Sequence, residues 1–373
     1  MRRAVISFFP LIVSGRFAWW DDFPMLITRK LQAHGIEHIC FYKGYAEHTK
    51  YPPDRRPIVG PTALQHPRWI RRHVRPWLRA FDRVIFHTHF NPVNRIWTAR
   101  RPGRGDRWIA TEHQSWRNQP FSPIKRQLRR LGRCMGVCPE LIIAVSRAQQ
   151  RRMEALFGKE GVVRIPNGIE LPKPSGGIED RAGPIRRGAY LGRLHAPKGV
   201  WPLVKAYHLL RDQGVNAHLT LVGDGPEAEG LRAYLGQHRL EPVIELMGYH
   251  PEPYRLYPSF DFVIVPTLTN EAFGLVSLEA RAHGRPVIYT PMGGVGDTQI
   301  DGRTGLRLPE VSATQIAGKV MELQSDPERY ARMCRDCRMG LDLFSIDRMT
   351  DQYLEAYLDL FHTGGPRSRE TSG

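Results

Sequence analysis

The sequence has no hydrophobic run long enough to cross a membrane. Its longest apolar stretch extends from Ala4 to Val13, about half of the roughly 20 residues that a transmembrane helix requires. Arg2 and Arg3 precede it, so it also resembles a signal peptide, but Pro10 interrupts it and no small-residue cleavage site follows. We therefore interpret this stretch as a buried first strand.

Cysteine is scarce, and the odd total of five leaves at least one thiol outside any disulfide framework. The pairs Cys134/Cys138 and Cys334/Cys337 have spacings that could suit a metal, but no histidine pair follows at zinc-finger spacing. Both pairs lie in helix-like stretches. We therefore expect reduced thiols in a cytoplasmic protein.

Acidic residues are scarce in the first half alone. Residues 1–173 contain 32 Lys and Arg against 12 Asp and Glu, whereas the remainder contains 22 against 25. The net charge of +17 therefore arises from the first half. An asymmetry of this kind indicates an anionic partner for that half.

Much of the positive charge lies in two helix-like stretches, 68–81 and 124–133. Each has one apolar face, formed by Ile70, Val74, Trp77, Leu78 and Phe81 in the first and by Ile124, Leu128 and Leu131 in the second. Basic amphipathic helices are typical of contact with an anionic membrane surface. Alternatively, both faces pack on a sheet, and Pro76 breaks or kinks the first helix. A polyanionic acceptor or nucleic acid would explain the same charge, but no nucleic-acid-binding motif is present.

Apolar runs alternate with helix-like stretches along the whole chain. Runs rich in Val, Ile and Leu that are separated by helices indicate parallel strands covered on both faces, and hence two doubly wound α/β units in tandem. The predicted strands are Ala4–Phe9, His38–Tyr42, Val84–His87, Trp108–Thr111, Leu141–Val145, Val162–Ile165, Gly188–Leu191, His218–Val222, Val243–Met247, Phe262–Val265 and Val287–Tyr289.

The predicted domain boundaries follow from composition. A segment rich in Pro, Gly and charge at 171–184 is interpreted as a linker. It separates an N-terminal domain, 1–170, from a C-terminal domain, 185–345. A terminal helix at 346–362 and a disordered tail at 363–373 complete the prediction.

Two cations follow the first strand of the second half. Ligands of open α/β sheets bind at the carboxyl ends of the strands. Arg193 and Lys198 lie there, in a loop that opens a helix, where free N–H groups and the helix dipole favour an anion. The pair would suit a diphosphate, although two ordinary surface charges would give the same pattern.

The most informative segment contains two carboxylates, Glu271 and Glu279, on either side of a Phe-Gly. Gly274 would allow a ligand to approach the backbone, and the N–H groups of Leu275 and Val276 would be available to phosphate oxygens at the helix start. Carboxylates are pure acceptors and suit vicinal diols. The alternative is an amphipathic helix with two exposed acids, which fits Glu279 less well because its neighbours are apolar.

Glu271-x7-Glu279 after a buried strand resembles the signature of the retaining glycosyltransferases of family 4, which have the GT-B fold. Other segments match that family in order, and they are Ile165-Pro166-Asn167-Gly168-Ile169, Gly192-Arg193…Lys198-Gly199, Gly223-Asp224-Gly225-Pro226 and Gly305-Leu306 after Asp301-Gly302. The first half departs from the pattern, because Ser14-Gly15 stands where the family usually has a Gly-Gly loop.

The resemblance implies two Rossmann-like domains that face each other across a cleft, with a C-terminal helix that crosses back. It implies retaining transfer from a nucleotide sugar, with a UDP-sugar favoured over a GDP-sugar, to an acceptor hydroxyl on a lipid-linked or cell-envelope glycan. No Asp-x-Asp stands at a strand end, so we expect no essential metal and no other cofactor. The expected location is the cytoplasm, with peripheral contact at the inner face of the membrane as an option.

The resemblance also assigns roles to residues. Arg193 and Lys198 would neutralise the diphosphate, Glu271 would hold the transferred sugar, and His113 would contact the sugar or handle a proton. His113 could equally be a structural histidine at a strand end. The predicted donor-binding set is Glu279 on the ribose, Tyr249 near the base, Gly274, Leu275 and Val276 on the diphosphate, and Phe273 and Gly15.

Two alternatives stay open at this point. A GT-B phosphorylase or a nucleotide-sugar epimerase would keep the fold and change the reaction. A non-catalytic basic protein that binds anionic lipid or nucleic acid would explain the charge, but it would leave the two carboxylates and two cations without a role.

Overall fold

The computed structural model describes residues 1–13, 18–45, 58–59, 67–90, 105–116, 121–135, 137–172 and 184–362. The chain divides into two compact units. Unit 1 comprises Met1–Gln114, Gln119–Glu170 and Asp342–Gly373, and unit 2 comprises Ser115–Asn118 and Leu171–Leu341. Most of the predicted linker, the predicted disordered tail and Ser14-Gly15 lie outside the described residues.

The described part of unit 1 is built on a seven-stranded parallel sheet of order β3-β2-β1-β4-β5-β6-β7. The strands are β1 (Arg3–Val13), β2 (Ile36–Tyr45), β3 (Ile58–Val59), β4 (Arg83–His89), β5 (Arg107–Glu112), β6 (Leu141–Ala144) and β7 (Val162–Arg164). The six strands predicted for this half are confirmed. Sequence reasoning missed β3 because two residues are too few to form an apolar run.

Five helices accompany this sheet in the described part of unit 1, and α2 shows how burial supports a helix. The helices are α1 (Ala18–Ala33), α2 (Pro67–Arg79), α3 (Pro123–Cys134), α4 (Arg147–Phe157) and the terminal α10 (Ile346–His362). Val74 and Leu78 of α2 are buried with Phe81 in a core cluster that includes Phe86 of β4. The predicted break at Pro76 is wrong, since the helix continues to Arg79. Pro76 lies on the exposed face, and burial on both sides of it holds the helix together.

The terminal helix α10 belongs to unit 1, although the chain reaches it after unit 2. The Tyr357 hydroxyl lies 2.6 Å from Nδ1 of His87 on β4. The Tyr353 hydroxyl lies 3.1 Å from Oγ1 of Thr111 on β5, and both tyrosines are buried. The expectation that the C-terminal helix crosses back is therefore confirmed.

The described part of unit 2 is built on a six-stranded parallel sheet of order β10-β9-β8-β11-β12-β13. The strands are β8 (Arg187–Leu191), β9 (His218–Val222), β10 (Ile244–Gly248), β11 (Phe262–Val265), β12 (Val287–Tyr289) and β13 (Gly305–Arg307), and the helices are α5 (Val200–Asp212), α6 (Ala228–His238), α7 (Leu275–Ala282), α8 (Ala313–Ser325) and α9 (Pro327–Asp336). The five strands predicted here are confirmed. Only β13, short and next to a turn, escaped prediction.

The cysteines that the structure describes fully are free thiols. Cys138, Cys334 and Cys337 are buried, and Cys40 is partly exposed. Across the described residues, no three His, Cys, Asp or Glu side chains gather in a way that could hold a metal ion. Nor does any helix within the described ranges have the length and apolar character to span a bilayer.

Four histidines in the described part of unit 1, two of them buried and two partly buried, have pKa values that keep them neutral in the folded protein. His87 and His89 are buried, and both ring nitrogens of His38 lie within 2.8 Å of a hydroxyl, on Ser7 and Thr28. Desolvation lowers the pKa of His38 and His113 from 6.5 to about 3 and the pKa of His87 and His89 well below 6.5. Folding therefore excludes protons that the unfolded chain would bind.

Unit 1 should consequently lose stability in mild acid. The lowered pKa values stabilise the fold fully above pH 6.5, and this contribution falls as the pH drops toward the folded-state values. Each such histidine should cost about 1.4 kcal/mol per pH unit below that point. Urea unfolding at a series of pH values measures the slope. His38→Gln should reduce it by about one proton, and the exposed His34→Gln should not, so equal slopes in both variants would contradict the prediction.

Candidate functional site

The candidate site lies where the strand order of unit 2 reverses, between β8 and β11. The loops after these strands are in contact. The N–H of Leu268, after β11, donates to the carbonyl of Pro197, after β8, at 2.9 Å. Gly199 has a φ of +76°, and a Cβ there would lie 1.9 Å from the Pro266 carbonyl oxygen. Glycine is therefore required for α5 to begin this close to the end of β11.

The loops after β9 and β10 extend the same edge of the sheet. The Gly192 N–H donates to the Val222 carbonyl at 2.9 Å, and the Gly223 N–H donates to the Gly248 carbonyl at 2.8 Å. Three Gly-containing motifs that are separated in sequence thus form one continuous rim. Tyr249, which follows Gly248, lies on this rim with 54% of its surface exposed.

An ion pair joins the two sides of the strand reversal. Lys198, after β8, donates from Nζ to Oε1 of Glu271, after β11. The Thr267 hydroxyl donates to the same oxygen at 3.1 Å, and the Ser115 hydroxyl donates to Oε2 at 3.2 Å. Both carboxylate oxygens of Glu271 are thus engaged by donors. Two residues predicted for the site are therefore in direct contact.

Arg193 lies in the same loop as Lys198 but has no carboxylate partner. Its side chain is exposed and forms no ion pair with any residue that the structure describes. Its backbone carbonyl accepts a hydrogen bond from the Tyr190 hydroxyl at 2.7 Å, which ties the loop to the end of β8. The guanidinium charge is thus available to a ligand.

The helix α7 begins directly after Glu271 and a Phe-Gly. Gly274 is its N-cap, with a φ of +102°. The helix starts at Leu275, so the first-turn N–H groups of Leu275 and Val276 lack partners within the helix, and the dipole there is positive. Phe273 is only 3% exposed, which means that its backbone, and not its ring, could reach a ligand.

Glu279 lies on the second turn of α7 and is partly buried. The Tyr257 hydroxyl donates to its Oε2 at 2.7 Å. Burial raises the pKa of Glu279 from 4.5 to about 7, while the bond from Tyr257 acts in the opposite direction. The Glu279 carboxyl therefore titrates near neutral pH.

His113 directly follows β5 of unit 1, which ends at Glu112. Nε2 of His113 lies 3.3 Å from Nδ1 of His89, and the two rings stack with centroids 5.6 Å apart. With a pKa of about 3, His113 is a neutral imidazole at physiological pH. Burial raises the pKa of Glu112 to about 7. Gly15, the remaining predicted site residue, lies outside the described residues.

Sequence reasoning missed three side chains that contact the candidate carboxylates. Thr267 could have been found, because it is a hydroxyl residue two positions after a predicted strand. Ser115 and Tyr257 gave no signal. Ser115 is 156 positions from its partner, and Tyr257 lies in a short stretch before β11 that lacks a clear period.

Two protein-family models match the chain. The model described as "Glycosyltransferase Family 4" matches residues 25–173, and the model described as "Glycosyl transferases group 1" matches residues 186–326. The two matches follow each other along the chain, and together they span most of both units.

Among curated proteins, a glycogen synthase of Mycobacterium tuberculosis is 26% identical over 275 residues, which make up 72% of this chain and 63% of that protein. The chain thus spans less than two thirds of that relative's length. Among solved structures, a glycosyltransferase from Rickettsia africae has a TM-score of 0.74 at 16% identity and covers 96% of this chain and 99% of its own.

HepE of Anabaena, solved in complex with UDP-glucose, has a TM-score of 0.68 at 17% identity, and the match covers 95% of this chain and 99% of HepE. Identities this low establish the fold alone. Taken with the two family models and the two parallel α/β sheets, they show that the chain belongs to the family 4, or group 1, glycosyltransferases and has the GT-B fold.

Proposed function

We propose that the protein is a retaining glycosyltransferase that moves a sugar from a nucleoside-diphosphate sugar to an acceptor hydroxyl. The observation that carries this proposal is the Lys198–Glu271 ion pair at the strand reversal of unit 2. It brings a cation for phosphate and an acceptor for sugar hydroxyls to the edge where α/β sheets bind ligands.

The leaving diphosphate would be neutralised by Arg193, Lys198 and the N–H groups at the start of α7. An ammonium group has three donors, so Lys198 can keep its bond to Glu271 and still bind a phosphate oxygen. Charge that is in place before the reaction is usually the largest catalytic contribution, and one lost donor typically costs about 2.7–4 kcal/mol.

The donors around Glu271 support a binding role for this residue. A carboxylate that accepts bonds from Lys198, Thr267 and Ser115 has both oxygens engaged, so we assign it to the hydroxyls of the transferred sugar and not to nucleophilic attack. Retention of configuration would then follow from attack on the face that the diphosphate leaves. The leaving phosphate oxygen would take the proton of the acceptor.

The donor is proposed to be a UDP-sugar, since HepE, a protein of similar fold, has been solved with UDP-glucose. Because Arg193, Lys198 and the α7 N-terminus can together balance a diphosphate, we propose that transfer needs no metal ion. His113 stays a proposed contact to the sugar, as a neutral hydrogen-bonding group.

The acceptor is proposed to be a lipid-linked or cell-envelope glycan at the inner face of the cytoplasmic membrane. The two basic helices differ in a way that bears on this. In α2, Val74 and Leu78 are buried in the core with Phe81, which follows the helix, and Trp77 is exposed. In α3 three apolar side chains at helical spacing are between 56% and 68% exposed, and they are Ile124, Leu128 and Leu131. Met135, directly after the helix, is also exposed.

The positive charge of α3 is complementary to an anionic lipid surface. The helix contains five Lys and Arg and no acidic residue. An exposed apolar stripe on a strongly basic helix is typical of helices that lie in a membrane interface. We therefore propose that 124–133 supplies the main apolar contact, and that 68–81 contributes exposed arginines and Trp77.

A thermal-shift panel of nucleotide sugars tests the donor site. A ligand at 100 times its dissociation constant should stabilise the protein by about 2.7 kcal/mol. Lys198→Met should lose most of the shift because it removes a phosphate ligand. Lys205→Met, at an exposed position on α5, is the matched control and should keep it. The assignment of Lys198 as a phosphate ligand would be contradicted if both variants kept the thermal shift, or if both lost it.

The products formed from a bound nucleotide sugar test the reaction. Slow release of nucleotide and of sugar with unchanged anomeric configuration is expected, and Glu271→Gln should slow it at least about tenfold by removing an anionic acceptor. Anomer-resolved NMR of the sugar measures both. An epimerised nucleotide sugar would instead identify an epimerase, and phosphate-dependent release of a sugar phosphate from a glycoside would identify a phosphorylase.

Vesicle co-sedimentation tests the proposed membrane contact. The protein should bind vesicles of phosphatidylserine and phosphatidylcholine, and Leu128→Ser with Leu131→Ser should weaken binding at least about tenfold through lost apolar burial. Met321→Ser, an exposed site on α8, should have no effect. If the double variant binds as well as the wild type, the surface recognises charge alone, which fits a soluble polyanion and not a membrane.

A further inference from the structure

We propose that Tyr257 is a positioning residue that orients Glu279 toward the ribose, and that it thereby sets the preference of this site for ribonucleotides. The inference rests on the proposed donor site and adds a residue to it. In this proposal Tyr257 does not contact the nucleotide. It acts through the Glu279 carboxylate, which binds the ribose.

The geometry of the Tyr257 side chain is fixed from two directions. It lies in the 3-10 helix Pro253–Ser259 that leads into β11 and is completely buried. Its hydroxyl donates to Oε2 of Glu279 at 2.7 Å. Its ring stacks on His283, with centroids 5.1 Å apart and planes inclined by 19°.

His283 connects this stack back to α7. It is the C-cap of the helix, and its Nδ1 lies 2.8 Å from the Glu279 carbonyl oxygen. The backbone and the carboxylate of Glu279 are therefore held by two rings that pack against each other. Such packing restricts the rotamers of a long acidic side chain.

The two oxygens of the Glu279 carboxylate are treated differently. Oε2 is engaged by Tyr257, whereas Oε1 accepts no hydrogen bond from any residue in the described ranges. The side chain is partly exposed. The arrangement thus fixes one oxygen and leaves the other to accept from a ribose hydroxyl.

The hydroxyl of Tyr257 also controls the charge of Glu279. Burial raises the pKa of this carboxyl to about 7, and Tyr257 is the group whose hydrogen bond opposes that rise. The neighbouring titratable groups are His283, with a pKa lowered chiefly by burial, and Arg285 and Arg338 beyond it. Without the tyrosine donor the pKa of Glu279 should rise further, so that more of the carboxyl is protonated at neutral pH and unable to accept.

Titration calorimetry with UDP and with 2′,3′-dideoxy-UDP tests the inference. The wild type should bind UDP about tenfold more tightly than the dideoxy form, the value of one charged hydrogen bond. Tyr257→Phe should lose most of this preference and keep its affinity for dideoxy-UDP. Glu279→Gln, which keeps an acceptor for Tyr257, should lose the preference as well, and the double variant should lose no more than either single one.

Tyr254→Phe is the matched control. Tyr254 lies one turn earlier in the same 3-10 helix, is 39% exposed, and its hydroxyl donates to Glu252. This variant should discriminate as the wild type does. If Tyr257→Phe also discriminates normally while the wild type binds UDP, the inference is overturned and the donor site stands. If the wild type binds no nucleotide, both fall.

The pH dependence supplies a readout that a purely structural role would not move. In the wild type the preference for UDP over dideoxy-UDP should increase as the pH rises through about 7. In Tyr257→Phe this increase should move to higher pH, and in Glu279→Gln it should disappear. A ratio of affinities also cancels the titration of the ligand's phosphate, which both nucleotides share. An unchanged midpoint in Tyr257→Phe would refute the role in charge control.

Discussion

The ion pair between Lys198 and Glu271 is the contact on which the rest of the candidate site depends. It spans the point where the strand order of unit 2 reverses, and it can form because the glycine at 199 lets α5 start against the end of β11. The hydroxyls of Thr267 and Ser115 complete the shell of Glu271. A paired ammonium and carboxylate are also less costly to keep in a partly buried site than either charge alone.

The second carboxylate, Glu279, is held by a different kind of interaction. Glu279 forms no ion pair with any residue in the described part of the chain. Burial raises its pKa, and an aromatic hydroxyl provides the compensating donor. The two acids of one motif thus differ in how they are held. Glu271 pairs with a lysine and accepts from two hydroxyls, whereas Glu279 accepts from an aromatic hydroxyl.

The sequence alone predicted the sheets well, because parallel strands covered on both faces appear as continuous apolar runs. It also brought Lys198 and Glu271 to one edge through the rule that ligands bind at strand ends. It could not predict that α2 buries apolar residues in the core whereas α3 exposes them, because the two helices have the same charge and the same apolar periodicity. Whether an apolar face meets a sheet or solvent is decided by tertiary packing, which burial of Val74 and exposure of Leu128 make visible. The roles of Ser115 and Tyr257 likewise arise only from folding.

The position of α10 has a consequence for the order of assembly during synthesis. Unit 1 receives Tyr353 and Tyr357 from the last helix of the described residues, and the buried imidazole of His87 bonds to one of them. The ribosome therefore synthesises unit 2 before it releases α10, the helix whose tyrosines complete the core of unit 1. Unit 1 is synthesised first but completes its folding last. Until α10 is available, the core around its buried histidines is incomplete.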